Sequence, residues 1–154
     1  MLFRSSLGHT GIITPDNILF AGDSLTSIHI LKEFPFLYLA DVEKHLDTLN
    51  ILKGLSLEQV SLTHGGLQNN ISEVIDYNYQ ILMNLLEYIL EVIKLPRERE
   101  EILSLVVERF NLPLNRNQYV LILASISAFL SYLCNTKQAK VYTENNCLLF
   151  KGLT

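Results

Sequence analysis

Apolar residues follow two rhythms along this chain, and the change between them comes near residue 68. Before it, short apolar runs stop at glycine or proline. Gly11-Ile-Ile-Thr14 and Asn17-Ile-Leu-Phe-Ala21 flank Pro15-Asp16. Proline presets φ and aspartate bonds the local backbone, so the stretch predicts a β-hairpin. Ser24 is positioned to cap a short helix that Pro35 ends, and Asp41 to cap a second one. In the second helix Val42, Leu46, Leu49 and Leu52 form an apolar stripe, with Glu43, Lys44, Asp47 and Lys53 opposite, and Gly54 closes it. His29 and His45 fall on these helices outside any motif and are expected at the surface. A strand, Gln59-Val-Ser-Leu-Thr63, runs directly into His64-Gly65-Gly66.

From Asn70 the spacing becomes helical: Ile71, Val74, Ile75, Leu82, Leu85, Leu86, Ile89, Leu90 and Ile93 recur on one face up to Lys94. Pro96 is expected in the first turn of a further helix, with Glu98, Glu100 and Glu101 a solvated cluster near its positive end. Asn111–Asn115 connects to an apolar helix over about 116–135. Ala139–Thr143, the turn Glu144-Asn-Asn146 and Cys147–Phe150 then predict a closing hairpin. The change of rhythm divides the chain into an α/β segment, 1–68, and a helical segment, 69–154. Helices followed by a hairpin are the order of a winged-helix unit.

Composition narrows the classes. Hydrophobic residues make up 49% and charged residues 18% of 154, ample apolar material for an ordered core. A net charge of -4 argues against a broad nucleic-acid footprint, which needs clustered Lys and Arg. Cys134 and Cys147 have neither zinc-knuckle nor disulfide-scaffold spacing and are read as packed thiols. The opening residues lack the apolar core of a secretory signal, so a cytoplasmic location is expected. The uncharged stretch from Asn117 to Thr136 is barely long enough to span a bilayer, and its serines and setting favour a buried helix with no membrane partner.

Three short motifs carry candidate chemistry: Gly8-His9-Thr10-Gly11, Ala21-Gly22-Asp23-Ser24 and Thr63-His64-Gly65-Gly66. Each places a metal-ligating side chain where an apolar strand or turn meets glycine. Strand ends hold such groups rigidly, and glycine lets the backbone approach a metal or substrate closely. In this combination and order the motifs resemble the second half of the metallo-β-lactamase superfamily. The helical tail and hairpin resemble the C-terminal extension of certain bacterial members.

The resemblance implies an α/β fold, the C-terminal half of an αββα sandwich followed by a winged-helix-like region. It implies metal-activated hydrolysis of an ester, thioester, amide or phosphodiester in a small-molecule substrate. By similarity His9 would bind the first of two zinc ions, Asp23 would bridge both, and His64 would bind the second. Such ions lower the pKa of bound water to about 7. The family's earlier His-x-His-x-Asp-His motif does not occur in these residues, and the segment between Thr10 and Gly11 is shorter than in the family. The chain is therefore expected to be an incomplete, inactive part whose partner is a missing N-terminal half or a second copy. Two other classes stay open. A winged-helix DNA-binding protein is opposed by the apolar character of the helix after Arg116. A non-catalytic interaction module would use the apolar helices for packing.

Overall fold

The structure, a computed structural model, describes the backbone of Leu2–Phe3 and residues 11–153 in full. The chain divides into two compact units, one of Met1–Pro35 with Asp41–Leu82, the other of Phe36–Ala40 with Met83–Thr154. The change of rhythm at residue 68 marks where a long helix begins. The division by packing falls inside that helix.

The first unit is built on five strands: β1 (Leu2–Phe3), β2 (Gly11–Ile13), β3 (Ile18–Gly22), β4 (Gln59–Leu62) and β5 (Gly66–Gln68), lying side by side in that order. β2 and β3 form the expected hairpin, with Ile12 opposite Phe20. Its turn is held by Thr14, whose Oγ1 donates to the Ile18 carbonyl and accepts from the Ile18 N–H. β3 and β4 are parallel, so their connection must cross over, and it does so through two helices. β5, not foreseen from the sequence, returns antiparallel along β4.

The first helix, α1, covers only Ile28–Glu33, and its N-cap is Ser27, not Ser24. Ser27 Oγ accepts the Ile30 N–H. Ser24 is buried, and its Oγ has no hydrogen-bond partner among the described residues. The second helix, α2 (Val42–Lys53), is bounded as expected by Asp41 and Gly54. Asp41 accepts the Lys44 N–H and pairs with the Lys44 ammonium at 3.0 Å, which holds its carboxyl below the usual range. His45 is not at the surface: three- and four-residue spacing places it between Val42 and Leu49 on the inward stripe, buried and with neither ring nitrogen hydrogen-bonded among the described residues. Burial lowers its pKa to about 4.

The two sheet faces differ. Leu19, Ala21, Val60 and Leu62 are at most 5% exposed, and with Leu31, Leu49, Leu52, Val74 and Ile75 from the helices they make up the core of this unit. On the other face Ile12, Phe20 and Leu67 are 54%, 50% and 58% exposed.

The long helix α3 (Ile71–Val92) begins in the first unit and ends in the second. It is followed by α4 (Arg99–Arg109) and α5 (Arg116–Asn135). Pro96 lies ahead of α4 and outside it, because Arg97 and Phe150 exchange backbone hydrogen bonds and the helix starts only after Glu98. Glu98 and Glu101 form a capping box there, and Asn115 with Gln118 forms another on α5. α5 has the length and apolarity to cross a membrane. It buries one face, with Ile122, Ile126, Phe129, Leu130 and Leu133, while Val120 and Leu121 remain exposed. Ser125 on that buried face accepts the Leu39 N–H, tying the Phe36–Ala40 segment to this unit, and Phe36 meets the Phe129 ring edge-on. The closing hairpin pairs β6 (Ala139–Glu144) with β7 (Cys147–Gly152) through Asn145-Asn146, both at positive φ as a tight two-residue turn requires. Cys134 and Cys147 are both free and half-buried.

Candidate metal centre at the strand ends

Strand register sends two of the three motif residues out from the same end of the sheet. Gly22 on β3 pairs with Leu62 on β4 in the parallel ladder, so Asp23, one residue beyond Gly22, and His64, two beyond Leu62, leave the same edge of the sheet from neighbouring strands. Both are exposed. His9 lies outside the described residues.

The loops that carry Asp23 and His64 are fixed by contacts that the motifs alone did not reveal. Asn78, fully buried on α3, accepts the Thr26 N–H at 3.0 Å and donates to the Thr26 carbonyl at 2.7 Å, with a further bond to the Val74 carbonyl. This clamp holds the chain between Asp23 and α1. The sequence signal for it was a lone amide within the apolar stripe of α3. On the other loop, Gln68 donates from Nε2 to the Gly65 carbonyl at 2.6 Å, closing the turn after His64. Gly65 has φ of +131°, and a Cβ there would stand 2.5 Å from Ser27 Cβ. Glycine is thus required twice, by backbone angle and by the close approach of the two loops. Beside them lies an open cavity of about 360 Å³ whose walls include Ser27, His29, Gly65, Gln68, Asn70 and Glu73.

No protein-family profile matches the chain, and no curated protein does. Solved structures do match. A beta-lactamase domain protein from Burkholderia ambifaria is 15% identical with a TM-score of 0.80, over 98% of this chain and 46% of that one. A metallo-beta-lactamase family protein from Thermus thermophilus is 17% identical with a TM-score of 0.70, over 94% of this chain and 45% of that one. The chain has a metallo-β-lactamase fold. It spans less than half the length of either solved chain that shares the fold.

Whether the residues present suit the metal that this fold suggests can be tested on the donors. Among the described residues no group of three or more His, Cys, Asp or Glu side chains could hold a metal ion. A catalytic zinc takes three protein ligands and keeps a position for water. Asp23 and His64 alone do not make such a site.

Proposed function

We propose that this chain is the later-ligand part of a metallo-β-lactamase-fold hydrolase, with Asp23 and His64, joined by His9, as its metal-facing residues. The observation that supports it best is the parallel register of Gly22 with Leu62, which delivers an aspartate and a histidine to one sheet edge on loops that approach closely at Gly65 and Ser27. Strand ends held in this way are suited to carrying a metal-ligand set. The remaining ligands come from polypeptide outside these 154 residues, and without them the chain is inactive. The complete protein is a cytoplasmic, zinc-dependent hydrolase of a small-molecule ester, thioester, amide or phosphodiester, with no nucleic-acid or membrane partner.

Residues 1–68 are the catalytic segment and 69–154 a winged-helix-like extension, a reading supported by the order α4, α5, β6, β7. A DNA-reading role for α5 is not favoured, because Val120 and Leu121 on its open side offer no hydrogen bond to a base edge.

Zinc content tests the proposal. The protein purified from its own host should retain zinc and lose it on Asp23→Ala, while the 154-residue chain alone should hold less than one equivalent. Stoichiometric zinc on the isolated chain, lost on Asp23→Ala, would show that the site is complete within these residues.

A further inference from the structure

The closing hairpin has one edge closed and one open. Arg97 and Phe150 exchange both backbone hydrogen bonds, so Arg97 closes the outer edge of β7 at that point. Phe150 therefore turns its N–H and C=O away from β6, and its register partner Val141 turns its own away from β7. Thr143, two residues on, points the same way. Among the described residues neither Val141 nor Thr143 makes a backbone hydrogen bond beyond the hairpin, and both are exposed. β6 is six residues long, lies in unbroken register with β7 and contains no proline, so the only guards on its edge are the charges of Lys140 and Glu144.

Those two charges are complementary to themselves. They stand symmetrically on either side of Tyr142, whose ring lies 5.4 Å from the Lys140 ammonium. Antiparallel pairing with another β6 about Tyr142 sets Lys140 opposite Glu144 of the second copy and, by two-fold symmetry, Glu144 opposite its Lys140. Opposite charges directly across a strand pair stabilise it. The same register sets Val141 opposite Thr143 of the second copy, and these are the residues whose N–H and C=O groups face outward, so both backbone hydrogen bonds can form at each symmetric pair. Val141, 46% exposed in the single chain, gains cross-strand neighbours, and Tyr142 faces Tyr142 of the second copy. Other centres that satisfy the backbone do less well. One at Val141 or Thr143 leaves Lys140 opposite Tyr142 or Asn146, and one at Lys140 or Glu144 sets like charges together. We propose that β6 pairs edge to edge with β6 of a second copy of this chain, antiparallel and centred on Tyr142, making one four-stranded sheet across a two-fold axis.

The test uses the protein as its own host makes it, tagged at the chromosomal gene, with its mass in solution followed by sedimentation over about 1–100 µM. Pairing predicts a doubling of mass with concentration. Lys140→Glu puts a like-charge pair at both symmetric positions and should raise the dissociation constant at least about tenfold, and adding Glu144→Lys should bring it back to within about threefold. In a Cys134→Ser and Cys147→Ser background, Tyr142→Cys should form a disulfide between copies under mild oxidation, because facing residues of a non-hydrogen-bonded pair lie within disulfide reach. Lys140→Cys, which faces position 144 of the second copy, should not. An unchanging single mass overturns the proposal, as does a doubling that Lys140→Glu leaves intact or that the double variant does not regain. Equal cross-linking at positions 140 and 142, or none at 142, overturns it as well. Should Lys140→Glu fail to fold, the contrast between positions 140 and 142 decides alone. Neither readout needs metal or activity, so failure here leaves the hydrolase reading standing.

Discussion

The two faces of the five-stranded sheet draw on the same short apolar runs and end in different surroundings. Leu19 and Phe20 are neighbours in β3, yet Leu19 is 1% exposed and Phe20 50%. Adjacent strand residues point to opposite sides, so each face is filled or left open by whatever layer lies over it. Side-chain chemistry alone would treat the two residues alike. The lesson is that an unbroken apolar strand does not say which of its faces is filled: among the described residues the helices cover one face and leave the other open.

The largest effect expected from this contrast is a difference between Leu19→Ala and Phe20→Ser in urea unfolding of the 154-residue chain. Leu19→Ala removes buried methyl groups and should cost about 2–5 kcal/mol, while Phe20→Ser should stay within about 0.5 kcal/mol. Similar costs at both positions would break the comparison.

His45 provides a pH test of the covered side. Its pKa falls from the ordinary 6.5 to about 4 through burial, so between those values the unfolded chain takes up a proton that the folded chain does not. Stability from this group is complete above pH 6.5 and declines as pH falls toward 4, by at most about 3 kcal/mol. His45→Leu should flatten that slope in melts taken at pH 8, 6 and 5. An unchanged slope would mean that His45 titrates equally in both states.

At the strand ends, Gly65→Ala should cost about 1–3 kcal/mol through its positive φ and the contact with Ser27. Adding Ser27→Gly should recover only the contact part, and full recovery would leave no role for the backbone angle. The smallest effects separate the two serines. Ser27→Ala loses a cap and should cost up to about 1 kcal/mol, whereas Ser24→Ala removes a buried hydroxyl with no partner among the described residues and should be neutral or stabilising. The reverse order in thermal melts would restore Ser24 as the cap.

Local signals were legible wherever one residue's chemistry decided the outcome. Asp41 and Gly54 bound α2, Asn115 opens α5, and Pro15-Asp16 turns the β2–β3 hairpin, because caps and turns depend on a side chain and its own backbone. Pro96 misled because Arg97 spends its backbone groups on Phe150, more than fifty residues away, before α4 can begin. His45 was readable in principle from its place on the α2 stripe, but its residue type suggested water. β5 is three residues long and offers too little pattern to detect.

The sequence by itself determined which residues could serve as ligands, the hairpins, and most helix boundaries, all matters of spacing within a few residues. Only the tertiary structure decided that Asp23 and His64 leave one sheet edge, that Asn78 and Gly65 hold their loops, and that one apolar face remains open. These depend on strand register and packing between segments some forty to fifty residues apart along the chain, which no local pattern encodes.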